Sequence, residues 1–208
     1  MPQTPSRNVI FDFGGVLIRW QPQEIIDRFY QDEELRGRLR DEVFQHPDWL
    51  EMDRGTLEEA DAAERFAARM QRPAAEMRDL LQRVKESLVP MEPTLELVNG
   101  LVKQGIAVYG LSNMSSSTFA HLEDRHEFWE VFRGIVISAH IKLVKPDPRI
   151  FEHISTAYGL APAETAFIDD LKPNVEAASR CGFRGIQFQS AAQCRGELEA
   201  WLGTGRAA

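Results

Sequence analysis

Five short runs rich in Val, Ile, Phe and Leu recur along the chain, at residues 8–13, 106–111, 134–138, 165–168 and 184–188. Each has the length of a strand buried on both faces. From the second run onward they alternate with amphipathic stretches, at 94–104, 148–158 and 174–181. That alternation predicts βαβ units around a parallel sheet with helices on its faces. Gly105, Gly159 and Gly182 follow the helical stretches, where a residue at positive φ commonly ends a helix. A chain of 208 residues, 43% of them apolar, is long enough for one well-cored domain or for one domain carrying an insertion.

The insertion is visible in the pattern. Between the first apolar run and Pro90 no convincing strand occurs, which predicts an all-helical segment. Thr56 followed by Glu59 is a capping-box signature, and Leu57, Ala60, Ala63, Ala67 and Met70 then recur at helical spacing. Arg69, Arg72, Arg78 and Arg83 are expected on a solvated face. Pro90 and Pro93 return the chain to the sheet.

Charge and composition exclude several partners. Twenty-four Lys and Arg stand against 32 Asp and Glu, a net charge of −8, with no basic run. Such a surface repels phosphate backbones and anionic lipid heads, so neither nucleic acid nor a membrane surface is an expected partner. No obligate protein partner is evident either. Asp12 interrupts the N-terminal apolar run too early for a secretory signal, and no apolar stretch approaches the roughly 20 residues that cross a bilayer. Cys181 and Cys194 lack metal-type spacing, and Cys181 is expected as a small buried residue of a helical stretch. Together these features predict a reduced, cytoplasmic protein.

The chemistry gathers where the runs end. Asp12 follows the first run with two glycines after it, and in an open parallel sheet ligands collect outside the carboxyl ends of the strands. The other ends deliver Ser112 and Asn113, then Lys145 in KLVKPDP, then Asp169 and Asp170. Three carboxylates converging on one edge repel one another unless a cation balances them. A hard divalent ion such as Mg²⁺, which takes few protein carboxylates and shares its shell with water and phosphate oxygens, is the expected solution. Lys145 and Ser112 would then hold an anionic group, as a point charge and a hydroxyl donor.

FDFGGVL, LSN, VKPDPRIF and FIDDLKPNVEAA, in that order and spacing, resemble the four motifs of the haloacid dehalogenase-like hydrolase superfamily over nearly the whole chain. The resemblance implies a Rossmann-like catalytic core from residues 1–20 and 91–208, and it makes the helical insertion, 21–90, a cap domain. It further implies a phosphatase acting on a small phosphorylated metabolite, in which Asp12 attacks phosphorus and water hydrolyses the aspartyl-phosphate. Lys145 would act beside Asp12, and Ser112, Asn113 and Lys145 would bind substrate. Mg²⁺ would be held by Asp12, the Gly14 carbonyl and Asp169, with Asp170 nearby and Asn174 hydrogen-bonding behind them.

One position departs from the phosphatase pattern: Gly14 stands where those enzymes usually carry a general acid two residues after the nucleophile. Such an acid is worth about 10²- to 10⁴-fold in rate, so three accounts compete. An acidic leaving group such as the anomeric oxygen of a hexose 1-phosphate departs with little help, and FDFGGV resembles the bacterial α-D-glucose-1-phosphate phosphatase branch. A residue of the insertion could also supply the proton, with His46, Glu51 and Asp53 the polar candidates beside Trp49. Alternatively, the enzyme is a 2-haloacid dehalogenase whose halide needs no proton, a route that the Asp169–Asp170 pair opposes. The third account is a non-catalytic phosphate-binding module. Arg19 and Trp20 stand at the entry to the insertion, Trp20 as packing. His121, His126 and His140 show no metal spacing, and Phe128, Trp129 and Phe132 are expected to pack a helix.

Overall fold

The computed structural model describes residues 7–203. Five strands, β1 (Asn8–Phe11), β2 (Ala107–Ser112), β3 (Gly134–Ile137), β4 (Thr165–Asp169) and β5 (Arg184–Gln187), form one sheet in the order β3-β2-β1-β4-β5. Every pairing is parallel. This is the expected Rossmann-like α/β architecture, with β1 at the centre where the strand order reverses.

Both faces of the sheet are buried along β1, β2 and β4, which is why these strands read as apolar runs, whereas β5 at the edge buries only Ile186. Val9, Phe11, Val108 and Ile168 point into one core with α6 (Glu92–Lys103), α7 (Ser116–Arg125) and α11 (Ala191–Gly203). Ile10, Tyr109, Leu111 and Phe167 point into the other with α9 (Pro148–Tyr158) and α10 (Lys172–Arg180). Gly105, Gly159 and Gly182 have positive φ, as their places after helices require. Cys194, on α11, is the buried cysteine, whereas Cys181 lies half-buried just past the end of α10; both are free thiols.

Between β1 and α6 the chain is helical. It runs through α1 (Pro22–Phe29), α2 (Glu33–Leu39), a π-helical turn (Arg40–Phe44), α3 (Pro47–Arg54), α4 (Glu59–Met70) and α5 (Ala74–Ser87). These elements bury a separate apolar cluster around Ile26, Leu39, Phe66, Met70, Met77 and Leu80. The two connections to the sheet run side by side: the Arg19 N–H donates to the Val89 carbonyl at 2.9 Å, and the Met91 N–H to that of Leu17 at 2.8 Å.

Details of this segment correct the sequence pattern. The capping box does not form, because the Thr56 hydroxyl bonds to Glu51 instead and α4 begins after Glu58. Ala60 is exposed, and Ala62 and Phe66 complete the buried stripe with Ala63, Ala67 and Met70. Arg72, Arg78 and Arg83 pair with surface acids as expected, but Arg69 reaches inward to the buried carboxylate of Asp48.

Phe13, just past β1, packs edge-on against Trp129 and Phe132, which are buried, while Phe128 is half-buried against Trp129; Trp129 packs on Phe119 of α7, the helix contact expected of this group. The Phe13 ring lies across Gly110, where a Cβ would come within 2.3 Å of its Cζ. Gly110→Ala therefore forces repacking beneath the site, and denaturant unfolding should show a loss of about 1–3 kcal/mol. Unchanged stability would mean that this close approach is not a structural requirement.

Candidate active site

The carboxyl ends of β1, β2 and β4, with the loop that follows β3, supply the site. Asp12 follows β1, and its N–H pairs with the Ile168 carbonyl at 2.9 Å, which keeps it in register with β4. Its Oδ1 accepts the Phe13 N–H at 2.6 Å. Gly15 turns the chain at a φ of +76°, and a Cβ there would stand 2.4 Å from Asp170 Oδ2. Glycine at that point meets both the left-handed turn and the close approach of a carboxylate.

Lys145 is the centre of the charge network. Its Nζ stands 2.8 Å from Asp12 Oδ1 and 2.7 Å from Asp169 Oδ2, and it donates to the Leu111 carbonyl at 3.1 Å. All three side chains are buried. Asn113 holds the lysine by its backbone: the Asn113 amide donates to the Lys145 carbonyl at 3.0 Å and accepts its N–H at 2.8 Å. Asn174 donates to both oxygens of Asp169 at 3.0 Å, and the Leu171 N–H adds a bond of 2.8 Å.

Burial, then the neighbouring Asp169 and Asp170, push the Asp12 carboxyl upward, while Lys145 opposes them. Asp170 is raised by burial and by Asp169. The Lys145 ammonium is held in its charged form by Asp12 and Asp169 against the cost of burial. Asp12, Asp169 and Asp170 offer carboxylate oxygens that all lie within 4.8 Å of one another. One ammonium cannot neutralise three ionised carboxylates, so this donor set fits a hard divalent cation.

A cavity of about 450 Å³ opens over the network, between the sheet edge and the helical insertion. Asp12, Gly14, Asn113, Lys145, Asp170 and Asn174 line its floor, whereas Ser112 and Asp169 are buried and stand outside its lining. The opposite wall is largely apolar, with Trp20, Ile26, Phe44, Trp49, Leu50 and Val84. Trp20, Phe44 and Trp49 pack on one another with centroids 4.9 to 6.3 Å apart. Arg19 turns outward to Gln21 and Glu24. His126 and His140 pack against Phe128 and Phe119, away from the acidic cluster.

Sequence reasoning missed two features. Asp48 is buried beneath Arg65, Arg69 and His46 in the insertion, tying α3 to α4, and no local pattern marks it. The clamp from Asn113 to the Lys145 backbone was also missed, since it spans two strand ends far apart in sequence. Breaking a buried ion pair from one side costs about 3–5 kcal/mol. Lys145→Ala should therefore lose stability of that order in urea titrations with chelator present. An unchanged midpoint and slope would show that the carboxylates do not depend on this ammonium.

Residues 7–182 match the family model of the haloacid dehalogenase-like hydrolases. The chain is 31% identical over 201 residues to the sesquiterpene phosphatase astK of Aspergillus oryzae, covering 96% of this chain and 98% of that one. It superposes with a TM-score of 0.72 on a haloacid dehalogenase family enzyme of Bacteroides thetaiotaomicron in complex with magnesium and inorganic phosphate. That pair is 22% identical, covering 88% and 94% of the two chains. The L-2-haloacid dehalogenase of Xanthobacter autotrophicus follows at a TM-score of 0.66 and 20% identity, covering 97% of this chain and 84% of that one. Motifs, fold and family model agree, and the chain belongs to the haloacid dehalogenase-like hydrolases.

Proposed function

We propose that the protein is a Mg²⁺-dependent phosphoric monoester hydrolase whose substrate carries its phosphate on an apolar body. The observation that carries this reading is the contrast within one cavity: a floor of carboxylates and an ammonium beneath a wall of aromatic and aliphatic side chains. A phosphorylated metabolite with a hydrocarbon tail presents the same contrast. The sesquiterpene phosphatase of Aspergillus oryzae, matched over nearly its full length, supports the same class. In this reading residues 21–90 act as a cap over a core of 1–20 and 91–208.

Asp12 is the nucleophile. It attacks phosphorus to form an aspartyl-phosphate, and water then hydrolyses that ester. Lys145 holds Asp12 in place and faces the phosphoryl oxygens with its ammonium, while Asn113 fixes the lysine and lines the phosphate end of the cavity. Ser112 supports this edge from behind, at the end of β2. Asp12, Asp169 and the Gly14 carbonyl would hold Mg²⁺, with Asp170 beside them and Asn174 orienting Asp169. When bound, the ion supplies charge neutralisation at the phosphoryl oxygens.

A second reading is a hexose 1-phosphate, favoured by Gly14 and its lack of an acid. The wall offers a polyol few partners, chiefly Gln23, Gln45, Arg40 and Thr118. A dehalogenase is opposed by the uncompensated carboxylates, which repel a carboxylate substrate, and a silent binding module leaves the Asp12–Lys145 pair without a task.

Initial rates of phosphate release, with Mg²⁺ and with chelator, test these alternatives. An n-alkyl phosphate series should show kcat/KM rising by up to ~4-fold per added CH₂ until the wall is filled, the equivalent of about 0.8 kcal/mol per buried CH₂. Chelator should abolish release, and Asp12→Asn should be folded and inactive. Glucose 1-phosphate outpacing every alkyl ester would establish the second reading. Halide release from a 2-haloacid in excess chelator would establish the dehalogenase.

A further inference from the structure

Three carboxylates line the cavity: Asp12, Asp53 and Asp170. Two of them belong to the acidic cluster with Asp169; Asp53 comes from the opposite wall, near the end of α3. Although the insertion carries it, the sheet domain positions it. The Ser138 hydroxyl bonds to the Asp53 carbonyl, and the same oxygen accepts the Met114 N–H at 2.9 Å. Gly55, at a φ of +74°, lies so close to Ala139 that a Cβ would stand 2.3 Å from its carbonyl oxygen. The Asp53 carboxyl itself accepts the Ser115 backbone N–H.

The other polar candidates of this region are engaged elsewhere. His46 Nδ1 accepts the Asp48 N–H at 3.1 Å, Glu51 bonds to Thr56 and Arg54, and neither His46 nor Glu51 lines the cavity. Gly14 presents no side chain, although the nearest atom to a Cβ there would be Trp20 Cβ at 3.7 Å. The acid is thus missing from a place with room for one, while an aspartate, Asp53, lines the same cavity from the other side.

We propose that Asp53 is the general acid that protonates the leaving oxygen, and the general base for hydrolysis of the intermediate; this rests on the phosphatase reading above. In the first step the bond from Asp12 oxygen to phosphorus forms, the bond from phosphorus to the leaving oxygen breaks, and the Asp53 proton completes the alcohol. In the second, water oxygen bonds to phosphorus, the bond to Asp12 oxygen breaks, and a water proton returns to Asp53. Burial pushes the Asp53 carboxyl up to about 7, with the Ser115 N–H and Lys145 pulling the other way. A group that gives and then takes a proton near neutral pH works best with both forms populated.

The test compares kcat/KM, which reports phosphoryl transfer to Asp12 and not the later hydrolysis, for dodecyl phosphate and p-nitrophenyl phosphate with Mg²⁺ present. Asp53→Asn should lower it by about 10²- to 10³-fold on the alkyl ester and by less than about threefold on the aryl ester, whose leaving group needs no proton. Equal losses on both esters would mark Asp53 as structural, and no loss on either would also overturn the proposal. If Asp53→Asn does not fold, Asp53→Ser carries the same comparison, its hydroxyl keeping an acceptor for the Ser115 N–H. The wild-type protein gives an independent check: kcat/KM falling steeply as leaving-group pKa rises means no acid is present, and the proposal fails with the phosphatase reading intact. A wild-type protein inactive on both esters overturns both.

Discussion

A lysine ammonium buried between two carboxylates sets the terms for the rest of the molecule. Lys145 lies within 2.8 Å of both Asp12 and Asp169, with its side chain almost wholly out of water. Desolvating such groups costs several kcal/mol each, so the arrangement survives only where hydrogen bonds fix every partner. The Leu111 carbonyl, the Asn113 clamp, the Asn174 amide and the Leu171 N–H do this. Each comes from the carboxyl end of a strand, from the segment after it or, for Asn174, from the first turn of α10. A parallel sheet is the fold that brings four such ends to one edge, and its apolar faces give the rigidity that holds them.

The insertion answers a different requirement. It buries its own apolar cluster, so it does not borrow the sheet's core, and its two connections form a short antiparallel pair beside Trp20. Yet it touches the site edge through specific bonds: Ser138 to the Asp53 carbonyl, Lys142 to the Gly55 carbonyl, and Ser117 to Glu59. An independently cored layer tethered at a few polar points can shape a cavity without disturbing the charge network below. Asp48, held by Arg65 and Arg69, plays the matching part inside the insertion, fixing α3 on α4 so that Trp49 and Asp53 face inward.

The sheet was legible because its signal is redundant. β1 to β4 are largely apolar runs, with β5 a more polar edge strand, and Gly105, Gly159 and Gly182 mark helix ends by backbone sterics rather than by context. The acidic edge was legible for the same reason, since Asp12 and Asp169 stand at strand ends and Lys145 in the loop beyond β3. The insertion was less so. Thr56 has the spacing of a capping residue, but the carbonyl and carboxylate of Glu51 compete for its hydroxyl one turn earlier. Arg69 has the composition of a surface residue, and only the fold of α3 against α4 reveals the buried carboxylate it serves. Ser112, expected from its motif to bind the phosphate, is 1% exposed at the end of β2 and outside the cavity lining. Long-range partners decide these cases, and no local window contains them.

Gly14 links the chemistry to the shape of the cavity. With an acid two residues beyond Asp12, the leaving oxygen could be protonated from the floor, and the wall would be free to vary with substrate. With glycine there, the floor supplies no such acid, and in the proposed mechanism the proton comes from the wall. That wall is largely apolar, and a low-polarity environment raises the proton affinity of a carboxyl buried within it. In the proposed function an apolar wall does two things at once: it takes up a hydrocarbon body by contact, and its low polarity favours the protonated form of a buried carboxyl such as that of Asp53. Trp20, Phe44 and Trp49 line the same cavity as Asp53, so in this reading substitutions there test substrate class and acid strength together.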